Sequence, residues 1–266
     1  MRLCDRSRIA ITVPAPYPLI CCRVQFADFT YPQHEVPLAE AYGGRFESVF
    51  VALHPFVRVP SWLAWTAQRC YPSDAQIAVS GAKCSWTEVG AATGLSSCAR
   101  LNQALLTSIG SLTDHLADPH GRDALKTYLQ SNPVWMPVEG SFVPLLKPDI
   151  LHAFATAGDH ELIFVPEFPH ADPVATLPLD GLGEGSMPFP TRGTLLAPDA
   201  SFLFTVDWDS FFTLFYGSRS FVTRIASARK IEGFFASPTT EHAWFNYSMG
   251  CATVTLSPEH WQAVGR

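Results

Sequence analysis

The sequence predicts an α+β fold, in which a helical N-terminal half precedes a mainly antiparallel sheet with one or more packed helices. Apolar residues recur at three- and four-residue steps between residues 61 and 129, which is the helical period. Runs rich in aromatic and β-branched residues, typical of strands, begin after Pro198. We expect one α+β domain over residues 1–266, and the change of pattern allows a division into a helix-rich part, 1–130, and a strand-rich part, 131–266.

The clearest helix of the first half is expected to begin after Ser96 or Ser97. A serine hydroxyl at either position can accept a hydrogen bond from an N–H group of the first turn. The apolar positions that follow keep the helical spacing, and they are Leu101, Leu105, Ile109 and Leu112. Weaker helical signals precede this helix at Trp62, Leu63, Trp65, Val89, Ala92 and Leu95. Together these signals predict the helical half of the chain.

The second half contains two segments that predict strands, 202–208 and 211–216. Phenylalanine and β-branched residues are frequent in both segments, and such residues pack well on a pleated surface. Ser218 follows, and it is a suitable N-cap for a helix. The remaining expected elements are that helix over 219–230 and two strands over 231–236 and 243–247.

The charge balance limits the partners that the chain can bind. Its 18 basic and 24 acidic residues give a formal net charge of −6, which would repel a phosphate backbone or an anionic membrane. Only 16% of the residues are charged, against about 25% in typical domains, and this leaves room for an apolar surface patch. No apolar run reaches the roughly 20 residues that a membrane helix needs. We expect another protein as the partner, with DNA disfavoured and no membrane contact.

The cysteines indicate a reducing, cytoplasmic location. The chain has 7 of them, an odd number, and no two form a Cys-x-x-Cys pair, so neither a disulfide framework nor a structural zinc site is expected. The apolar segment 9–22 follows three arginines in the manner of a signal peptide, but its prolines would break a helical core. No dinucleotide fingerprint or phosphate loop occurs in the sequence, and we expect no cofactor.

Residues 85–105 resemble the helix-turn-helix motif, with a glycine turn at Gly94 between two short helices. In that family the N-terminal residues of the second helix enter the major groove. The resemblance implies that Arg100, Asn102 and Gln103 address base edges, because arginine pairs with guanine and asparagine or glutamine with adenine. Few cations surround these residues, so the same corner would also fit inside a domain that binds no DNA.

Acidic residues gather around the expected strands of the second half and suggest a metal site. Asp207 and Asp209 lie two residues apart, so on a strand both side chains would point to the same face. Carboxylates bind divalent cations when several of them converge. The candidate ligands are Asp207, Asp209, Glu232, Glu241 and His242. The alternative is that these side chains line a solvent-exposed face while the neighbouring aromatic residues pack in the core.

The same C-terminal block resembles uncharacterised families of bacterial cytosolic proteins. The similar segments are 207–217, 232–235 and 240–244. Some of those families resemble immunity proteins of toxin systems, which are acidic, rich in aromatic residues and without catalytic motifs. The resemblance implies a binding protein and gives no residue a role. Aromatic anchors are frequent in binding hot spots, and the candidates here are Trp208, Phe211, Phe212 and Trp244.

Three functions follow from these patterns. The first expectation is a non-catalytic, intracellular protein-binding module of the immunity type. The first alternative is a helix-turn-helix DNA-binding regulator, and the second is a metal-dependent enzyme. Each predicts a different surface: exposed aromatic anchors, an accessible second helix, or acidic residues that converge around a pocket. No catalytic residue can be assigned, because no nucleophile motif occurs in the sequence.

Overall fold

Ten strands and six α-helices make up the regular structure of the described residues, which are 25–59, 71–169, 171–184 and 187–245 of this computed structural model. The helices are α1 (Asp74–Ser80), α2 (Trp86–Thr93), α3 (Cys98–Ile109), α4 (Pro119–Ser131), α5 (Lys147–Ala157) and α6 (Arg219–Arg229). The strands are β1 (Ser48–Leu53), β2 (Phe56–Arg58), β3 (Ala82–Cys84), β4 (Val134–Trp135), β5 (Glu161–Val165), β6 (Ala175–Pro178), β7 (Gly193–Leu196), β8 (Leu203–Val206), β9 (Phe212–Gly217) and β10 (Gly233–Phe235). Two 3-10 segments, Phe26–Asp28 and Leu38–Gly44, precede β1.

The strands form two sheets, and all their pairings are antiparallel. The large sheet has seven strands in the order β10-β1-β9-β8-β7-β5-β6, and the small sheet has the order β3-β2-β4. Strands β7, β8 and β9 follow one another along the chain and pair in that order. Strand β1 instead lies between β9 and β10, so a strand from early in the chain completes the sheet built by the later residues.

The large sheet is covered on both faces. In β1, Val49, Val51 and Leu53 pack into one hydrophobic cluster with residues of α2, α3 and α4. Phe50 and Ala52 point the other way and pack with residues of α5 and α6. Because a strand buried on both faces must be apolar throughout, β1 shows no alternation of apolar and polar residues.

The predicted helical N-terminal half is wrong, although the mixture of helices and antiparallel strands is present. Strands β1 and β2 begin at residue 48 and end at residue 58, and β3 and the helices follow them. Two of the helices, α5 and α6, belong to the second half of the chain. After Ser48 the strand is short and uniformly apolar, and such a run gives no periodic signal for a strand. Its partners, β9 and β10, lie more than 150 residues further along the chain.

The residues predicted to cap or end helices do so in the structure. Ser97 accepts a hydrogen bond from the Arg100 N–H at the start of α3, and Ser218 accepts one from Phe221 at the start of α6. Gly94 ends α2 with a left-handed conformation, φ +73°, which glycine adopts without steric cost. Residues 243–245 of the last expected strand form a turn instead, and its residues 246–247 lie outside the described ranges, as do Trp62, Leu63 and Trp65.

One end of the large sheet brings distant parts of the chain together, and we call it the site end. The register pairs Val165 of β5 with Thr194 of β7, and it pairs Gly193 of β7 with Val206 of β8. The last residues of β5 and β8 and the first residue of β7 therefore lie side by side. The segments that leave or enter these strands at the site end supply the side chains described next.

Candidate metal centre

Three side chains converge at the site end around one carboxylate oxygen. Asp207 follows β8, and its Oδ2 lies 2.9 Å from the Nε2 of His34 and 3.6 Å from the Nε2 of His242. The two imidazole rings are stacked, with centroids 3.9 Å apart and an interplanar angle of 6°. One possible ligand atom from each of the three residues lies within 4.8 Å of the others. We call these residues the His-Asp-His cluster.

Asp207 is held by the tight turn between β8 and β9. The Ser210 hydroxyl donates a hydrogen bond of 2.9 Å to the Asp207 carbonyl oxygen. The turn also packs against the backbone of Gly140, whose N–H donates to the Ser210 carbonyl over 2.9 Å. Gly140 has φ +60°, and a Cβ atom at this position would lie 1.8 Å from the Trp208 carbonyl oxygen. Only glycine allows this close approach, so Gly140 fixes where the turn lies.

The two histidines come from opposite ends of the described chain, and backbone contacts join their segments. The Leu38 N–H donates a hydrogen bond of 2.7 Å to the Thr240 carbonyl oxygen. This contact brings the segment that follows His34 beside the segment that precedes His242. The ring of His242 also packs on Phe212, with centroids 5.6 Å apart. The cluster therefore depends on the packing of three chain segments.

Tyr31 forms a second layer around the cluster. Its hydroxyl oxygen lies 2.8 Å from the Nδ1 of His242, and the two rings meet edge to face. Desolvation and the charge of Asp207 raise the pKa of Tyr31 well above its ordinary value, so the hydroxyl stays protonated. Desolvation and the neighbouring His34 lower the pKa of His242. A neutral imidazole whose Nδ1 is held by a hydrogen bond has a defined orientation for its Nε2.

Two histidines and one carboxylate are a donor set that binds divalent transition metals. Zinc enzymes use two histidines and one carboxylate with a fourth position left for water, and non-haem iron sites use the same combination. The His34 side chain is 53% exposed, whereas His242 and Asp207 are 14% and 16% exposed. Solvent therefore reaches the cluster from the side of His34.

The structure brings together only two of the five predicted metal ligands, Asp207 and His242. Asp209 and Glu241 lie outside the cluster. The Glu232 carboxylate instead accepts hydrogen bonds from the N–H groups of Trp86 and Thr87 and from the Thr87 hydroxyl, so it caps α2. His34 was not among the predicted ligands, because it stands 173 residues before Asp207 and no local pattern distinguishes it from the other histidines.

The residues proposed for DNA recognition lie on α3. Helices α2 and α3 do form a corner at Gly94. Arg100 is exposed, but its guanidinium pairs with Asp118 over 3.2 Å. Asn102 is only 1% exposed, and the side-chain amide of Gln103 donates to a backbone carbonyl over 2.6 Å. Buried or internally bonded side chains cannot contact base edges without a change of structure, and here this applies to Asn102 and Gln103.

The four aromatic residues suggested as interface anchors have different environments. Phe211, Phe212 and Trp244 are buried in the core cluster that covers one face of the sheet. A partner could reach none of these three side chains unless the core opened. Trp208 is 60% exposed, so it is the one of the four that offers a surface to a ligand or partner.

The described residues thus form a protein of mixed helices and antiparallel strands, in which two histidines and one carboxylate gather at the end of the large sheet. None of the helices within the described ranges is long and apolar enough to cross a bilayer. The chain belongs to the family described as protein of unknown function (DUF2711), whose model matches residues 34–246 and therefore includes all three cluster residues.

The chain also has a distant bacterial relative. The chain is similar to the uncharacterized protein YwbB of Bacillus subtilis (strain 168), with 22% identity over 228 residues, which cover 82% of this chain and 99% of the relative. No solved structure matches the chain significantly. The prediction of an uncharacterised bacterial protein family is confirmed.

Proposed function

We propose that this protein is a metal-dependent enzyme that holds a divalent transition metal with His34, Asp207 and His242. One observation carries the proposal: the Nε2 atoms of two histidines both lie close to the same carboxylate oxygen of Asp207. Metal bonds of about 2.0–2.2 Å place neighbouring ligand atoms roughly 3 to 3.5 Å apart. The two nitrogen–oxygen distances, 2.9 Å and 3.6 Å, are close to this separation, and a reorientation of one of the two stacked imidazole rings would direct both Nε2 lone pairs at a shared ion.

The number of ligands favours a catalytic role over a structural one. Structural zinc sites are closed by four protein ligands, whereas catalytic sites use three and leave a position for water or substrate. The exposure of His34 supports access to that position. A metal held in this way would lower the pKa of a bound water or polarise a bound substrate. The enzyme would therefore carry out Lewis-acid chemistry on a small molecule that enters beside His34.

Metal titration of the full chain tests the proposal directly. The protein is treated with a chelator, dialysed and titrated with Zn²⁺ or Co²⁺ by calorimetry, and the Co²⁺ complex is followed by its visible absorption. We expect one equivalent to bind. Asp207→Asn and His242→Ala should weaken binding by at least the 10- to 100-fold loss that is typical of changes in a second layer.

Two variants serve as matched controls. Asp209→Asn changes a carboxylate of the same turn that lies outside the cluster, and His160→Ala removes an exposed histidine. Both should bind the metal as tightly as the unmodified chain. Binding that is absent, or that Asp207→Asn and Asp209→Asn reduce equally, would falsify the proposal.

A further inference from the structure

Arg192 and Trp208 form a partly exposed pair at the site end. The guanidinium carbon of Arg192 lies 5.0 Å from the centroid of the Trp208 ring, within the range of a cation–π contact. Trp208 is 60% exposed although it is large and apolar. The next aromatic residues of the same segment, Phe211 and Phe212, are buried. The Trp208 indole is therefore exposed at the surface, with the Arg192 guanidinium packed against it.

The sheet register places the backbone of this pair beside the backbone of Asp207. Gly193 of β7 pairs with Val206 of β8, so Arg192 and Asp207 are the next residues where the two strands leave the sheet. Directly opposed residues of an antiparallel pair lie about 4.5 to 5.5 Å apart. The backbone of Arg192 thus starts beside the backbone of the carboxylate ligand, and Trp208 follows that ligand in sequence.

Arg192 is fixed in place while part of its guanidinium stays available. Its Nε–H donates a hydrogen bond of 2.8 Å to the Gly140 carbonyl oxygen, and its Nη1 lies 3.4 Å from a carboxylate oxygen of Glu167. An arginine has five N–H donors, and no other acceptor for Arg192 lies among the described residues. The side chain is 29% exposed. Such a held, half-open guanidinium can bind a carboxylate or phosphate with little reorganisation.

These features select the charge and shape of a ligand. A divalent metal and a guanidinium both attract an anionic group, and an exposed indole offers a face for stacking a planar group. Phe168, which follows Glu167 in the sequence, is also 63% exposed. We infer that the substrate of the proposed enzyme is a small planar anion, an aromatic or unsaturated carboxylate, which Arg192 and Trp208 bind. This inference rests on the proposed metal centre.

Benzoate is a suitable probe of this subsite. The chain loaded with Co²⁺ is titrated with benzoate, with benzamide as a planar neutral control and with cyclohexanecarboxylate as a non-planar anionic control. We expect benzoate to bind about tenfold or more tightly than either control, since it alone combines charge and planarity. We also expect the Co²⁺ absorption to change, because the carboxylate approaches the metal.

Three variants test where benzoate binds. Arg192→Met and Trp208→Leu should each weaken benzoate binding by about tenfold and leave Co²⁺ affinity unchanged. Arg224→Met is the matched control, because Arg224 also lies over an aromatic ring, that of Phe221 at 5.3 Å, on α6. This variant should bind benzoate as the unmodified chain does.

The outcomes separate the two proposals. If Co²⁺ binds but benzoate binds no better than its controls, or if Arg192→Met and Trp208→Leu leave its affinity unchanged, the subsite is overturned and the metal centre stands. If Co²⁺ itself does not bind, the metal centre fails and the substrate inference fails with it. Selective loss of benzoate binding in both variants supports the subsite.

Discussion

Tyr31 connects the His-Asp-His cluster to the surrounding protein by a hydrogen bond to one of its imidazoles. Its hydroxyl, 2.8 Å from the Nδ1 of His242, orients the imidazole and defines which nitrogen faces Asp207. Removing such a partner costs about 10- to 100-fold in metal affinity. We therefore expect Tyr31→Phe to weaken Co²⁺ binding by that factor in a calorimetric titration, while the thermal unfolding of the metal-free chain changes little.

Tyr71→Phe provides the comparison for this prediction. Tyr71 also carries a buried hydroxyl, and that hydroxyl has no hydrogen-bond partner in the described part of the chain. Its ring packs on Trp135 and away from the cluster. Tyr71→Phe should leave Co²⁺ affinity unaltered. Equal metal affinity in the two variants would show that Tyr31 does not orient His242.

His54 links the pH of the solution to stability. It is fully buried, with its Nε2 2.9 Å from the Thr213 hydroxyl oxygen, and burial lowers its pKa to about 3. The unfolded chain has a histidine pKa of about 6.5, so between these values the unfolded state binds a proton that the folded state does not. The stability that His54 contributes is complete above about pH 6.5 and is lost as the pH falls toward 3, at roughly 1.4 kcal/mol per pH unit.

Chemical denaturation at several pH values checks this behaviour. The free energy of unfolding is measured between pH 4 and 7 for the unmodified chain and for His54→Gln, which cannot take up the proton. We expect the slope against pH to be smaller in the variant by about 1.4 kcal/mol per unit below pH 6. Identical slopes would mean that His54 is not kept neutral in the folded state.

At the scale of elements, the Gly140 backbone determines where the β8–β9 turn lies. A methyl group at Gly140 would lie 1.8 Å from the Trp208 carbonyl oxygen, so Gly140→Ala must displace the turn that carries Asp207. We expect this variant to lose stability and to bind Co²⁺ at least tenfold more weakly, as measured by unfolding and titration.

Gly158→Ala is the control that separates displacement of a turn from the strain of a left-handed alanine backbone. Gly158 ends α5 with φ +89°, and a Cβ atom there would have no neighbour within 4 Å. Its replacement therefore costs only the strain of a left-handed alanine, about 1 kcal/mol. We expect Gly158→Ala to keep full metal affinity. A similar loss of affinity in both variants would contradict the role given to Gly140.

Elements that depend on neighbouring residues could be predicted from the sequence, and elements that depend on distant residues could not. Ser97 and Ser218 marked the starts of α3 and α6 because a cap is a contact over three residues. The strand β1 was missed because its apolar run carries no periodicity and its partners lie far along the chain. Two of the three cluster residues were predicted, and His34 was missed for the same reason, since the acidic turn at Asp207 is a local feature and the contribution of His34 is not.

At the scale of the whole molecule, a bound metal would join three distant segments and so oppose unfolding. A ligand that binds only the folded state stabilises it by about 2.7 kcal/mol when its concentration is 100 times the dissociation constant. We expect Zn²⁺ at that excess to raise the free energy of unfolding by this amount in denaturant titrations. Asp207→Asn should show no such increase, and a stabilisation that survives this substitution would place the ion elsewhere.

The position of β1 between β9 and β10 has a consequence for the protein during its synthesis. Ribosomes add about 5 to 20 residues per second, so β1 leaves the ribosome on the order of ten to thirty seconds before its partner strands exist. During that interval its apolar residues have no sheet to join, and a nascent chain in this state is a substrate for chaperones. His242 follows β10, so the cluster is completed as the sheet closes, and all three cluster residues can be in place only after His242 has been synthesised.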